Sequence, residues 1–327
     1  MEMYDIVIIG AGVVGLAAGM YAGRLNLKTV VLGATSGSEL PIGGVITLTD
    51  TVDNYPGFKH LTGQELAQKM EEHARDYDIE IREEKATGIT KDKKANYFAV
   101  KAEKSSYYTK TIIFATGAKW RELSMKGADK FKTKGVHYCA LCDGALFNGK
   151  AIAVVGGSDS AAKEALLLAN YAKKVYIIYR GEKIRPEPVN GKLVEKNKRI
   201  EVITSTNVVE IKGDNLVNKI ILDKEHNGSK ELALSGVFGA IGHIPLSGLA
   251  VKMGVNVNKK KEIMIDRDSK TNVPGVFAAG DVVDSGFKQA ITGVGEGVVA
   301  AHSAYQYVTK NEFAGVFDDP VYKRGKK

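Results

Sequence analysis

Tyr4-Asp5-Ile6-Val7-Ile8-Ile9-Gly10-Ala11-Gly12-Val13-Val14-Gly15 is the stretch that decides the fold of this chain. A short β-rich run enters a Gly-x-Gly-x-x-Gly turn, Leu16 to Arg24 continues as a helical stretch, and Thr29 to Leu32 is a second apolar run. Strand, glycine turn, helix, strand is the context that gives this glycine pattern meaning. Gly10 permits the tight turn, Gly12 lets the backbone approach a pyrophosphate, and Gly15 lets helix and strand pack closely. The helix N-terminus presents unpaired N–H groups and a positive dipole end to phosphate. A glycine-rich turn without a nucleotide is the competing reading, and the context favours a dinucleotide site. The acidic residue expected about 20 residues on, for a ribose hydroxyl, falls near Leu32-Gly33, where neither residue can serve. Glu39 is the nearest carboxylate, and the ribose contact stays unassigned.

The same order recurs midway. Ala151 to Val155 reads as a strand, Gly156-Gly157-Ser158-Asp159-Ser160-Ala161 as the turn, Ala162 to Tyr171 as a helix and Val175 to Tyr179 as the next strand. Two such units imply two dinucleotides, commonly one flavin and one nicotinamide. The second unit ends in Tyr179-Arg180-Gly181-Glu182-Lys183-Ile184-Arg185. An arginine where an NAD site would carry a carboxylate favours a 2′-phosphate and hence NADPH; surface arginines after a strand are the bland alternative. Thr111 to Gly117 reads as a strand ending in a small-residue turn, where one domain hands over to the next. Gly275 to Asp281 reads as a strand ending in Gly280-Asp281, whose carboxylate suits a ribitol hydroxyl. Gln289 to Tyr307 follows as a helix, its N-terminus placed to favour negative charge on a reduced ring.

Composition narrows the classes. With 327 residues, 44% hydrophobic and 26% charged, the chain is long enough for two core-bearing domains and is of ordinary globular composition. No apolar run approaches the roughly 18 residues of a membrane span. Ile6 to Ile9 is too short for a signal peptide and lacks a basic flank, so a cytoplasmic protein is expected. The net charge of +8 arises from 46 basic residues scattered against 38 acidic ones. Its dense runs, Lys259-Lys260-Lys261 and Lys323-Arg324-Gly325-Lys326-Lys327, read as solvated surface or a rim for an acidic protein, not as a nucleic-acid site.

Cysteine usage is the sharpest clue. The chain has two cysteines, Cys139 and Cys142. A structural framework needs more of them, and so short a loop stabilises a large domain little. A zinc site needs two further ligands, and none of the six histidines shows HxxxH-type spacing. A redox pair is the favoured reading and no metal is expected. His137 stands two residues before Cys139, close enough to tune it, and coincidence is the expectation. His243 reads as a structural loop residue and Trp120 as packing at the domain crossover.

Taken together these segments resemble the low-molecular-weight thioredoxin reductases, the small flavoproteins of the pyridine nucleotide-disulfide oxidoreductases. The resemblance runs nearly end to end: GAGVVGLAAGMYAGR, Gly43-Gly44 followed by Asp53 to Gly57, FATGA, CALCDG, GGSDSAAKEA, AIGHIP and GVFAAGDVVDSGFKQAITGVGEG. As in that family, the CxxC lies just before the second glycine loop. The resemblance implies an α/β fold of two Rossmann-like domains, with a nicotinamide domain (118–244) inserted into a discontinuous FAD domain (1–117 and 245–327). It implies FAD held by Gly10, Gly12, Gly15, Gly43, Gly44, Asn54, Gly117, Gly280, Asp281, Gln289 and Ala290. NADPH would lie against Gly156, Gly157, Ser158, Asp159, Ser160, Arg180 and Arg185. Cys142 would face the flavin, Cys139 would attack the partner's disulfide, and Asp143 would protonate the departing thiolate. The implied partner is a thioredoxin-like or glutaredoxin-like protein disulfide, and the implied assembly a homodimer.

Three positions depart from the family pattern. Ser158 replaces the second glycine of the nicotinamide loop, Gly181 replaces one of two paired arginines, and Val45 replaces the glutamine after Gly43-Gly44. The first two bear on the electron donor, which is expected to be NADPH, with NADH or a non-nicotinamide donor as alternatives. A flavoprotein oxidase or peroxiredoxin-system reductase, and a non-catalytic flavin-binding sensor, are the rival functions. Asp143 beside the CxxC argues against the sensor.

Overall fold

The computed structural model describes residues 3–33, 40–50, 52–92 and 96–311. Glu39 and the basic tail at 323–327 lie outside the described residues. The chain divides into two compact units, one made of residues 1–118 with 245–327 and the other of residues 119–244. The fold is α/β, with a parallel, Rossmann-like sheet in each unit.

In the first unit the strand Met3–Ile9 is central. It pairs in parallel with Thr29–Leu32 on one side and Ser106–Phe114 on the other, and Ile79–Arg82 extends the first side. Ile6, Val7 and Ile8 are fully buried, as an apolar run covered on both faces requires. The far edge of Ser106–Phe114 is shared: its beginning pairs antiparallel with Tyr97–Ala102, and Ile112 to Phe114 pair in parallel with Val276–Ala278. A hairpin of Ala86–Asp92 and Tyr97–Ala102 therefore occupies one end of the edge and the returning chain the other. Asp5 ties three segments together. Its Oδ2 accepts the Lys28 N–H at 2.9 Å, its Oδ1 pairs with the Lys110 ammonium at 2.7 Å, and its carbonyl accepts the Thr111 hydroxyl.

The first helix is Val13–Arg24, three residues longer at its start than the apolar pattern indicates. Its opening residues still belong to the glycine turn, where N–H groups lack helical partners and side-chain periodicity carries no signal. Gly10 has φ +116° and Gly15 faces it. A Cβ at Gly10 would be driven into the Ala115 carbonyl, and one at Gly15 into the Gly10 carbonyl. The final helix, Ala290–Lys310, packs its Ala300, Ala301 and Ala304 into one apolar cluster with Ala18 and Ala22 of the first. Small residues on both helices let the two axes approach. The helix Gly63–Arg75 starts with a capping box: Thr62 Oγ1 accepts the Glu65 N–H, and Glu65 Oε2 accepts the Thr62 N–H.

The second unit has five parallel strands in the order Ile200–Ile203, Lys174–Ile178, Ala151–Val155, Gly236–Gly239, Val136–His137. A three-stranded antiparallel sheet, Val208–Gly213, Val217–His226 and Ser229–Ala233, adds a second layer. Its helix Asp159–Leu168 begins at the glycine turn, three residues before the expected start, and ends three before the expected end. Ala169 to Tyr171 instead close a turn of consecutive backbone bonds onto the last helical carbonyls. The ends of this unit meet where the Arg121 N–H donates to the Gly242 carbonyl at 2.8 Å.

Gly15→Ala is expected to cost about 3 kcal/mol, the upper end for overpacking a closely packed site, because both clashing groups are backbone. Urea unfolding monitored by circular dichroism checks this as a lowered midpoint at unchanged slope.

Candidate redox and dinucleotide sites

In the first unit the chain winds outward on either side of Met3–Ile9, so the sheet order reverses there. Loops leave the carboxyl ends of these strands at Ile9 and Phe114, and a reversal of this kind is the place where such sheets bind ligands. Three loops converge on it. The glycine turn is joined to the Gly43-Gly44 segment by the Gly43 N–H to the Ala11 carbonyl (2.8 Å) and the Val13 N–H to the Gly43 carbonyl (3.2 Å). The Gly280-Asp281 loop lies on Val14: a Cβ at Gly280 would stand 2.9 Å from the Val14 Cγ2.

At Gly12 the protein itself does not demand glycine. A Cβ there would come no nearer than 3.6 Å to the Gly43 oxygen, an ordinary contact. The free side is a cradle that a Cβ would partly fill, which fits a backbone approached by a pyrophosphate. Gly117, at φ +63°, likewise has nothing within 4 Å of its Cβ direction.

Asn54 and Gln289 are brought together, Asn54 Nδ2 donating to Gln289 Oε1 at 3.1 Å across 235 residues of chain. Gln289 caps the Ala290–Lys310 helix in a reciprocal box with Thr292, and Ala290 is the first helical residue. Asp281 is exposed, and two residues not anticipated from sequence fix its loop. Glu296 Oε2 accepts the Gly280 N–H at 2.8 Å while its other oxygen accepts the Ser285 hydroxyl. Lys288 bridges the Asp281 carbonyl at 2.9 Å and Glu262 at 2.7 Å. Both lie in the quoted GFKQAITGVGEG segment, so their place in a loop of conspicuous residues was the available signal.

In the second unit Ser158 is the N-cap of Asp159–Leu168, with extended backbone and no capping bond from its side chain. Arg185 runs beside it as an isolated parallel bridge, its N–H donating to the Gly157 carbonyl at 2.7 Å. Asp159 is not available as a free ligand: its Oδ1 accepts the Glu187 N–H at 2.7 Å and the Asn190 amide at 2.8 Å. It pins the 187–190 segment over the turn and so holds Arg185 in place. Ser160 follows in the first helical turn. Arg180 and Arg185 are exposed. The Tyr179 ring fills the space between the two glycines beside it. A Cβ at Gly157 would strike the ring, and one at Gly181 would come within 2.5 Å of it. Gly181 is thus the residue that accommodates Tyr179, a packing reason for the departure seen in the sequence.

Cys139 and Cys142 form a disulfide. The edge strand Val136–His137 delivers Cys139 to the N-cap of the single turn Ala140–Asp143. The Cys142 N–H points at the Cys139 sulfur at 3.1 Å, a donor that stabilises a thiolate there after reduction. Cys142 is exposed and Cys139 half-buried. Asp143, next in the chain, is held by His137: Nδ1 lies 2.8 Å from Oδ2. His137 stands beside the cysteines in sequence, and its partner in the structure is Asp143, not Cys139. His137 is only 7% exposed, stacked on Phe238 at 5.5 Å and edge-on to Phe147 at 5.3 Å. Among the described residues no group of three or more His, Cys, Asp or Glu could hold a metal. No described helix is long and apolar enough to cross a membrane.

A family description, pyridine nucleotide-disulphide oxidoreductase, matches residues 4–297. The chain belongs to that family. Within it, the chain is 39% identical over 309 residues to a 34.2 kDa protein in the rubredoxin operon of Clostridium pasteurianum, covering 94% of this chain and 98% of that one. It is 35% identical to the thioredoxin reductase of Bacillus subtilis (strain 168), covering 94% and 95%. The crystal structure of Lactococcus lactis thioredoxin reductase in its FR conformation superposes with a TM-score of 0.88 at 35% identity, over 94% of this chain and all of that one.

One further group of the pyridine nucleotide-disulphide oxidoreductase fold stands out. Glu164, on the helix after the second glycine turn, is half-buried, and its Oε2 is shut from solvent without a hydrogen-bond partner. Burial pushes its carboxyl from the ordinary 4.5 up to about 8.

Two outcomes follow from this geometry. Gly12→Ala should change stability by no more than about 1 kcal/mol, because the poorer cap is offset by the lower chain entropy of alanine at a compatible backbone angle, while dinucleotide affinity measured by flavin titration falls sharply. Glu164 is protonated in both states below about pH 4, and its contribution is lost as pH rises from the unfolded value towards the folded one near 8. Glu164→Gln should therefore match the parent near pH 4 and be more stable by about 4 kcal/mol at pH 8, read from urea midpoints at both values.

Proposed function

We propose that this protein is a flavin-dependent disulfide reductase that takes reducing equivalents from NADPH and passes them to a thioredoxin-like protein. The observation that carries the proposal is the Cys139–Cys142 disulfide, followed directly by a carboxylate and carried in the same unit as the second glycine turn. The relatives named thioredoxin reductase, matched over almost the whole of both chains, support the same reading.

The residues have distinct tasks. Gly10, Gly12, Gly15, Gly43 and Gly44 offer a close backbone surface for the FAD pyrophosphate, and Asp281, Gln289 and Ala290 its further contacts, with Asn54, Gly117 and Gly280 alongside. Gly156, Gly157, Ser158 and Ser160 form the corresponding surface for NADPH, and the exposed Arg180 and Arg185 suit its 2′-phosphate. Bound FAD supplies two-electron chemistry linking a nicotinamide to a disulfide. The chain's own part is thiol chemistry. Cys142, the exposed sulfur, is placed for reduction, and Cys139, with the Cys142 N–H on its sulfur, for attack as a thiolate on the partner's disulfide. Asp143 supplies the proton that the leaving thiolate needs. The inserted domain, in this reading, alternates between donor and disulfide by hinge motion, and the assembly is a homodimer.

The test uses purified holoprotein. NADPH should bleach the flavin faster than NADH, and thioredoxin should be reduced with NADPH consumed in equal amount. Cys142→Ser should keep the bound flavin and its bleaching yet lose thioredoxin reduction by at least 10³-fold, as expected for removal of a nucleophile that acts as a unit with its partner. Bleaching by neither nucleotide would exclude the nicotinamide donor, and NADPH oxidation persisting in Cys139→Ser would favour an oxidase.

A further inference from the structure

His137 is a buried, ionisable residue that the mechanism above does not use. Its backbone ends the edge strand, in register with Phe238 of the neighbouring strand. Its ring is fixed on two sides by Phe238 and Phe147, leaving Nδ1 aimed at Asp143 Oδ2 at 2.8 Å. Asp143 is the more exposed partner, at 32% against 7%. A buried imidazole thus holds a partly exposed carboxyl that directly follows Cys142 in the chain. This arrangement resembles the positioning half of a catalytic base–orienter pair, with the carboxyl outermost.

Tyr171 is the titratable side chain packed at Gly144, next to Asp143 in the chain. Strand Gly236–Gly239 contributes only Phe238, and the turn Gly144–Phe147 contributes Phe147, with the Lys150 ammonium 5.7 Å above that ring. On the helix Asp159–Leu168, which packs on the CxxC turn, Lys163 is turned to Asp159. Glu164 of that helix is uncharged near neutral pH.

Resting on the proposed disulfide-reductase reading, we infer that His137 positions Asp143 and shares, through their hydrogen bond, the proton that Asp143 donates. With both cysteines reduced, Cys139 is thiolate, Cys142 is thiol, and the pair holds one proton beyond neutral imidazole with carboxylate. The Cys139 thiolate attacks the partner disulfide, forming a mixed disulfide and breaking the partner's S–S bond. The departing partner thiolate takes the pair's proton. The Cys142 thiol then returns a proton to the pair as its sulfur attacks Cys139, releasing the second partner thiolate and re-forming Cys139–Cys142. The partner gains two electrons, the cysteines lose two, and the pair ends as it began.

The experiment compares wild-type holoenzyme with His137→Phe, His137→Gln, Asp143→Asn and His137→Phe/Asp143→Asn. Flavin reduction by NADPH should be unchanged in His137→Phe and His137→Gln. A positioned acid contributes on the order of 10²–10⁴-fold, so thioredoxin reduction should fall about 100-fold in Asp143→Asn and about 10-fold in His137→Phe. His137→Gln, which retains a donor, should recover part of that loss. The double variant should be no slower than Asp143→Asn, and the pH profile should move in His137→Phe. The His137 imidazole resonance should titrate at a different pH in Asp143→Asn, a readout independent of turnover. Additive losses with an unmoved pH profile, or an imidazole titration indifferent to Asp143→Asn, would overturn the inference. Failure of the wild type to reduce any protein disulfide would overturn the proposed function and leave the imidazole titration to decide the pairing.

Discussion

The architecture depends on one steric constraint, the contact of backbone on backbone at the first glycine turn. Gly10 and Gly15 face each other with no room for a Cβ on either, and Gly10 is also pressed on Ala115 at the end of the neighbouring strand. That pressure sets where the first helix leaves the sheet. Once the helix is seated, the final helix can settle its alanines against it, and the Gly280-Asp281 loop is brought down on Val14. A void or a bump here propagates, because packed interiors transmit strain.

The second unit repeats the constraint with different neighbours. Gly156 is pressed on the Ala240 carbonyl, again the end of the adjacent strand. Ser158, however, stands where the first turn has Gly12, Gly157 is packed on the Tyr179 ring, and the acidic residue at the turn holds the 187–190 segment. The two turns look alike in sequence yet differ in what they leave free. The first keeps an open backbone face at Gly12, while the second exposes Arg180 and Arg185 beside a turn partly roofed by Tyr179.

Placement of the Cys139–Cys142 disulfide follows from the edge of the second sheet. A two-residue strand delivers the cysteines at its carboxyl end, and a single helical turn returns Asp143 above the strand's last side chain. The strand is short, but it is pinned by pairing with Gly236–Gly239, and its histidine is wedged between two phenylalanines drawn from separate elements. Packed side chains under an exposed turn hold its geometry.

The sequence by itself determined the α/β class, the two glycine turns, their order and the family, because these rest on local rules: apolar runs, glycine at tight turns, and residues adjacent in the chain. Only tertiary structure decided the pairings between distant residues. Asn54 meets Gln289, Glu296 clamps Gly280, Tyr179 claims the space at Gly181, and Phe147 and Phe238 turn His137 towards Asp143. Helix starts were misread by three residues for a related reason, since a turn residue and a first-turn helical residue look the same until the fold fixes the backbone. The physical divide is that periodicity and turn chemistry are written over a few residues, whereas the direction of a side chain is set by what packs against it.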